Sequence, residues 1–290
     1  MSEVDLLVLG GTGLAGRAIM ASARRRNLNA IAVARGGELP VDVRDEGALV
    51  RALADVRPRV IVNAAAIVSA PACERDPAAT WLVNARPAAI VASHARATGA
   101  RFAQISTDHY YSGDGRRRHA EDEPVRLINE YGRSKYAAEA FALTAPDAIV
   151  LRTNFVGWPS VLGSSFAEWA MGVIEQDLPA DLYDDQFVSS LDVWTFADGV
   201  LDLACGDALG VVNLGAGEVF SKAEFVQALA ARMARPLTRA RLASVGLQQS
   251  PRGDSLGLDV SRAEGILGHP LPGLEAVITS LMAHLEDRRS

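Results

Sequence analysis

An apolar tetrapeptide, Leu6–Leu9, runs straight into Gly10-Gly11-Thr12-Gly13-Leu14-Ala15-Gly16, and the helix-like stretch Gly13–Arg26 opens inside that glycine run. Glycine permits the tight turn and lets backbone N–H groups approach a pyrophosphate, which then rests at the positive end of the helix. In a chain with 25 glycines the motif alone says little. Its force comes from its place, on the first strand–helix junction of an alternating chain. Gly10, Gly13, Leu14 and Gly16 are therefore the expected dinucleotide contacts of this loop.

The alternation continues for about 150 residues. Asp5–Leu9, Ala30–Ala34, Val60–Asn63, Phe102–Ser106 and Ala148–Leu151 read as strands buried on both faces, with helix-like Glu46–Asp55, Ala78–Thr98 and Glu130–Leu143 between them. Such a pattern predicts an α/β fold, a Rossmann-type doubly wound parallel sheet with a smaller C-terminal substrate-binding lobe. After residue 153 the rhythm loosens, although helix-like Val193–Cys205 and strand-like Val211–Leu214 still belong to the sheet pattern. The expected division is 1–154 plus about 188–216 for the dinucleotide-binding domain, and about 155–187 plus 217–290 for the lobe.

Charge and cysteine usage exclude several functions. A net charge of −6 gives no broad attraction to nucleic acid or an anionic membrane. Arg116-Arg117-Arg118 sits beside Glu121, Asp122 and Glu123 and reads as a solvated loop. No apolar run approaches the ~20 residues of a membrane helix. The first ten residues lack the basic segment and cleavage site of a signal peptide. Cys73 and Cys205 are too few for a disulfide framework and lack metal-ligand spacing. A cytoplasmic chain without nucleic-acid, membrane or metal partners is expected.

The second strand ends in Ala34-Arg35-Gly36-Gly37, where an NAD-selective site presents Asp or Glu. An arginine there can pair with a 2′-phosphate, which favours NADP(H) and leaves NAD(H) as the alternative. Arg35 can also be read as a surface charge, because Glu38 is close by. Asp42 and Val43 are expected near the adenine, and Asn63-Ala64-Ala65, closing the Val60–Asn63 strand, beside the cofactor.

The proton-transfer candidate lies in Asn129-Glu130-Tyr131-Gly132-Arg133-Ser134-Lys135. Tyr131 and Lys135 are four apart and share a helix face. A phenol of pKa ~10 exchanges protons poorly at neutral pH unless a nearby cation favours its ionised form. Lys135 supplies that charge and can also hold the nicotinamide ribose. The chain has only two lysines, Lys135 and Lys222, among 29 basic residues. A lysine four residues after a tyrosine is therefore hard to dismiss as a surface pair, and arginine's broad, delocalised fork is a poor substitute. Thr107, in Ile105-Ser106-Thr107-Asp108 at a strand end, lies 24 residues before Tyr131 and offers a hydroxyl to a substrate carbonyl.

Together these residues resemble the extended short-chain dehydrogenase/reductase superfamily, closest to the dTDP-4-dehydrorhamnose reductase family. The likeness runs through the glycine loop, Asn63-Ala64-Ala65-Ala66, Ser106-Thr107-Asp108, the Tyr131 segment, Leu151-Arg152-Thr153, Ser165-Phe166, Asp185-Gln186 and Asn213-Leu214. The resemblance implies NADPH-dependent reduction of the 4-keto group of a nucleoside-diphosphate sugar. Tyr131 would be the proton donor, Lys135 would lower its pKa, and Thr107 would hold the oxygen. It further implies a nucleotide-sugar substrate contacted by Thr107, Asp108, His109, Arg152, Asn154 and Arg252, and it admits a homodimer. Arg152 is equally readable as a structural partner. His109-Tyr110-Tyr111, Phe187-Val188-Ser189-Ser190 and Pro251-Arg252-Gly253-Asp254-Ser255 depart from the family pattern on the substrate side. Rival readings are an epimerase that retains NAD and a non-catalytic NADP-binding regulatory subunit. Dehydration is disfavoured because His109 stands where dehydratases of the superfamily typically carry a Glu.

Overall fold

All four residues of β1 (Leu6–Leu9) are buried, as an uninterrupted apolar run requires when both faces of a sheet are covered. The computed structural model describes residues 4–158, 165–247 and 253–289. After β1 come α1 (Leu14–Arg25), β2 (Ala30–Val33), α2 (Glu46–Val56), β3 (Val60–Asn63), α3 (Ala70–Arg75), α4 (Pro77–Asn84) and α5 (Arg86–Thr98). β4 (Arg101–Ile105), α6 (Glu130–Ala142) and β5 (Ala148–Thr153) follow. Beyond them lie β6 (Phe155–Val156), α7 (Phe166–Gln176), β7 (Ala180–Tyr183), β8 (Phe187–Val188), β9 (Leu191–Asp192) and α8 (Val193–Cys205). The chain finishes with β10 (Gly210–Leu214), β11 (Phe220–Ser221), α9 (Lys222–Arg232), β12 (Ala240–Ala243), β13 (Ser255–Leu256), α10 (Ser261–Leu267) and α11 (Leu274–Arg289).

The main sheet has the order β2-β1-β3-β4-β5-β10. The pairs β1–β2, β1–β3, β3–β4 and β4–β5 are parallel, with Leu9 in register with both Val33 and Asn63. From β2 the chain crosses back over β1 to form β3, so the strand order reverses at the β1/β3 edge. In doubly wound sheets the ligand crevice lies beyond the carboxyl ends of the strands at such a reversal. Leu7, Leu9, Leu49, Leu53, Ile61, Val91, Phe102 and Val150 form the core beneath it.

Two interleaved units divide the chain: residues 1–107, 127–152 and 197–212, and residues 108–126, 153–196 and 213–290. These limits differ from the expected 1–154 plus 188–216, chiefly because 108–126 packs with the later segments. Tyr110 and Tyr111 are buried there, Tyr111 stacks on His119 at 4.0 Å, and the His119 amide donates to the Gly257 carbonyl at 2.9 Å. The second unit contains the three-stranded β11-β8-β13 sheet and the parallel pairs β7–β12 and β6–β9.

The expected single helix over 78–98 is two helices. Asn84 turns its side chain away to bond the Ile67 backbone and Ser134 Oγ, and Pro87 then opens a new first turn where its missing N–H is harmless. Among the described residues no helix is long and apolar enough to cross a membrane, and no cluster of three metal-ligating side chains occurs.

Candidate active site

The glycine loop is built as the sequence predicts. Gly10 adopts φ +75°, a region side chains resist, and a Cβ there would stand 2.7 Å from the Ala65 backbone nitrogen. A Cβ on Gly16 would run into the Gly10 carbonyl, so this glycine lets α1 close onto the loop. Gly13 caps α1 with no side-chain hydrogen bond, whereas Asp45, Asp76 and Asn129 cap α2, α4 and α6 with their own oxygens. The first-turn amides of α1 thus keep their donors for an anion.

A cavity of about 580 Å³ opens on this loop, lined by Gly10, Gly13, Arg35, Asp42, Val43, Ala64 and Ala65 among others. The residues a dinucleotide would need are together, and a backbone cradle that side chains would fill suits its pyrophosphate. Asn63 and Gly16 shape the cradle rather than line it. The Asn63 amide donates to Gln104 Oε1 at 2.8 Å and accepts from the Ala65 amide at 3.2 Å, which fixes the Ala64-Ala65 turn. Leu14 begins α1 behind the loop. Asp42 is grasped by Arg44, whose Nη2 donates at 2.6 Å, and this bond holds its carboxyl down at about 2. Ala79 and Val83 of α4 also line the cavity and were not foreseen, because only the packing of α4 brings them there.

A larger groove, about 910 Å³, lies at the amino ends of β1, β3 and β4. Its arginines serve the protein itself: Arg101 donates to the Ala204 and Ala208 carbonyls, each at 2.9 Å, and Arg59 faces Asp5 at 3.8 Å. Size here does not mark function.

The residues expected to transfer the proton, Tyr131 and Lys135, lie on α6. Asn129 accepts from the Gly132 amide at 2.8 Å and starts the helix, whose buried face carries Tyr131, Gly132, Ser134, Lys135, Ala138, Glu139 and Ala142. Small residues on that face let α6 approach β4 closely. Lys135 Nζ donates to the Ile105 carbonyl at 2.5 Å, which ties the helix to the strand end carrying Ser106-Thr107. Tyr131, Thr107 and Lys135 are 8%, 2% and 2% exposed, so reaction there would proceed largely out of water.

Burial pushes the Lys135 ammonium down to about 8, and the Glu139 carboxylate opposes that fall. Between about pH 8 and the ordinary 10.5 the unfolded chain holds a proton that the folded chain has lost. This contribution to stability therefore rises with pH across that window, and below it the buried charge destabilises the fold. Lys135→Met is expected to raise stability at pH 7 by about 2 kcal/mol, net of the hydrogen bond lost at Ile105. Urea unfolding of the two proteins checks this; a destabilised variant contradicts it.

Asp108, His109 and Asn154 belong to the second unit. Ser190 Oγ donates to Asn154 Oδ1 at 2.8 Å, Asn154 Nδ2 donates to Asp108 Oδ2 at 2.7 Å, and His109 Nε2 is 3.8 Å from Asp108. His109 and Asn154 line a cavity of about 290 Å³ with Phe166, Trp169, Gln186 and Lys222. Phe166 stacks with Trp169 at 5.5 Å, and Lys222 Nζ lies 4.1 Å above the Phe166 ring. Lys222 was unassigned in the sequence; its scarcity as a residue type was the available signal.

Arg152, expected either at the substrate or as a structural partner, is 4% exposed and grips Glu139 with its Nη2 at 2.9 Å. Arg252 lies outside the described residues.

From residue 4 to 284 the sequence matches the family described as the RmlD substrate binding domain. It is 31% identical, over 90% of this chain and 91% of the relative, to the dTDP-4-keto-6-deoxy-D-glucose reductase of Streptomyces niveus. With the dTDP-4-dehydrorhamnose reductase of Streptomyces griseus it shares 36% identity over 52% of this chain and 49% of that one. The structure is similar, at TM-score 0.87 and 18% identity, to the dTDP-4-dehydrorhamnose reductase of Bacillus anthracis in complex with NADP, covering 97% of this chain and 99% of that one. That likeness bears on the fold.

Proposed function

The chain belongs to the RmlD substrate binding domain family, and from that premise we propose that it reduces the 4-keto group of a nucleoside-diphosphate sugar with NADPH, with Tyr131 as proton donor. The relatives are named as reductases of dTDP-linked sugars, and the chain is an oxidoreductase of the short-chain dehydrogenase/reductase type. The observation that carries the finer reading is the Lys135–Ile105 hydrogen bond of 2.5 Å. It fastens the helix that carries Tyr131 to the strand end that leads into Thr107, so all three residues ride on one helix and the strand tied to it.

The first-turn amides of α1 and the Gly10–Gly13 loop would hold the pyrophosphate, and Ala64-Ala65 would border it. Arg35 would meet the 2′-phosphate of the adenosine. Bound there, NADPH supplies the hydride. The protein's share is then electrostatic and acid–base. Thr107 donates a hydrogen bond to the substrate carbonyl oxygen, where negative charge develops. Tyr131 gives that oxygen its proton, and Lys135 stabilises the phenolate that remains. In the second unit, the cavity of Phe166, Trp169, Gln186 and Lys222 offers aromatic faces and a cation to a nucleotide-sugar, with His109 and Asn154 at its wall.

Screening dTDP-, UDP- and GDP-linked 4-keto sugars for NADPH consumption tests this function. Turnover with at least one supports it; bound cofactor with silence across the panel means a non-catalytic binding protein. Arg35 is tested separately. Arg35→Ala is expected to lower the preference for NADPH over NADH about tenfold or more, the range of a charge-assisted hydrogen bond. An unchanged ratio of kcat/KM values for the two cofactors removes Arg35 from the phosphate site.

A further inference from the structure

The buried face of α6 extends one turn past the proton-transfer pair. Tyr131, Lys135 and Glu139 recur at four-residue intervals and so form a column on one side of the helix. Glu139 is 2% exposed, and Arg152, reaching it from β5, is 4% exposed. The arginine fork donates through Nε at 3.1 Å and Nη2 at 2.9 Å, and Ser106 Oγ donates to the same carboxylate at 2.6 Å. Ser106 also gives its amide to the Leu151 carbonyl at 2.7 Å, beside Arg152. The residue immediately before Thr107 is thus held by both its side chain and its backbone.

We propose that Glu139, clamped by Arg152, is a positioning residue of the proton-transfer site: it fixes the Ser106–Thr107 end of β4 and supplies the counter-charge to Lys135. This rests on the roles given above to Tyr131, Lys135 and Thr107. A buried ion pair is a weak source of net stability, and an apolar pair of similar volume can fill the same space. An apolar pair cannot anchor the Ser106 hydroxyl, nor oppose the desolvation of an ammonium buried one turn away. Glu139 does both from one carboxylate.

The other charged groups around α6 are placed too far along the helix to replace it. α6 packs against β4, α3, α4 and α5. From α3, Glu74 accepts from the Glu130 amide at the start of the helix, where Trp81 of α4 and Arg133 also engage the Glu130 side chain. From α5, Arg96 bonds Thr144, beyond the helix end. Arg152 comes from β5, and its positive charge is directed onto Glu139.

Because Lys135 and Lys222 are the only lysines, protein labelled with ε-¹⁵N-lysine gives two side-chain signals, and Lys222→Arg assigns them. Glu139→Gln keeps the shape and an acceptor for Ser106 but removes the charge. It is expected to move the Lys135 midpoint down from about 8 by roughly one unit, with the alkaline limb of the kcat profile moving the same way. Ser106→Ala is expected to lower kcat about five- to tenfold, with KM for NADPH and the Lys135 midpoint unchanged. A Lys135 midpoint that stays in place in Glu139→Gln, or a normal kcat in Ser106→Ala, overturns the proposal. The lysine titration needs no turnover, so it stands even if no 4-keto sugar proves to be a substrate, and the two failures are seen separately. Should Glu139→Gln not fold, Ser106→Ala still decides the positioning role.

Discussion

Tyr131→Phe is expected to lower kcat about a hundredfold or more and to leave the Kd for NADPH unchanged, the size typical when a positioned acid–base group is removed. The substitution takes away one oxygen from a ring that is 8% exposed, on a helix capped by Asn129 and tied to β4 through Lys135, so the scaffold persists. The cavity at Gly10–Gly13 and Arg35 is built by other elements, so NADPH binding there is expected to have no need of the hydroxyl. Stopped-flow measurement of a single turnover, beside fluorescence titration of NADPH, separates the two effects. Near-normal turnover means that another group delivers the proton, and the reading of α6 as the proton-transfer helix then fails.

The second large effect is on stability. Arg152→Met is expected to destabilise the fold by about 3–5 kcal/mol, because it leaves the Glu139 carboxylate buried without the guanidinium that neutralises it. The Ser106 hydroxyl and the Lys135 ammonium one turn away do not replace the guanidinium fork that grips both carboxylate oxygens. The double variant Arg152→Met, Glu139→Leu should recover most of that loss, since both charges are then gone and the volume is nearly kept. Recovered stability without recovered kcat marks the pair as serving the site rather than the fold. A single variant as stable as the parent, by urea unfolding, shows that Glu139 is not left charged and buried.

Much of the first unit was legible because its signals are local. Apolar runs such as Leu6–Leu9 and Val60–Asn63 mark fully covered strands, and the glycine loop announces itself by where it falls between strand and helix. Tyr131 and Lys135 were readable from helical spacing and from the scarcity of lysine. What escaped notice depends on packing. In the run Ala78–Thr98 Pro87 is the local signal for a new helix start, but nothing there shows that Asn84 will turn its side chain to Ile67 and Ser134. Glu139 extends the same four-residue spacing, yet only β5 reveals its partner Arg152. Residues 108–126 adjoin a sheet strand in sequence, and it takes tertiary hydrogen bonds such as Gly113 to Asp254 to assign them to the second unit. Lys222 becomes interesting only once Phe166 lies beneath it.

Hydride transfer to a sugar carbonyl, with Tyr131 supplying the proton, leaves an isotopic trace in the product. NADPH deuterated at the transferring C4 position, incubated with the 4-keto nucleotide sugar that the screen identifies, tests it most directly. One deuterium at C4 of the sugar in the product and stoichiometric NADP⁺ are expected, both formed about a hundredfold more slowly, or slower still, by Tyr131→Phe. Purified protein that carries tightly held NAD and interconverts C4 epimers without consuming NADPH contradicts it.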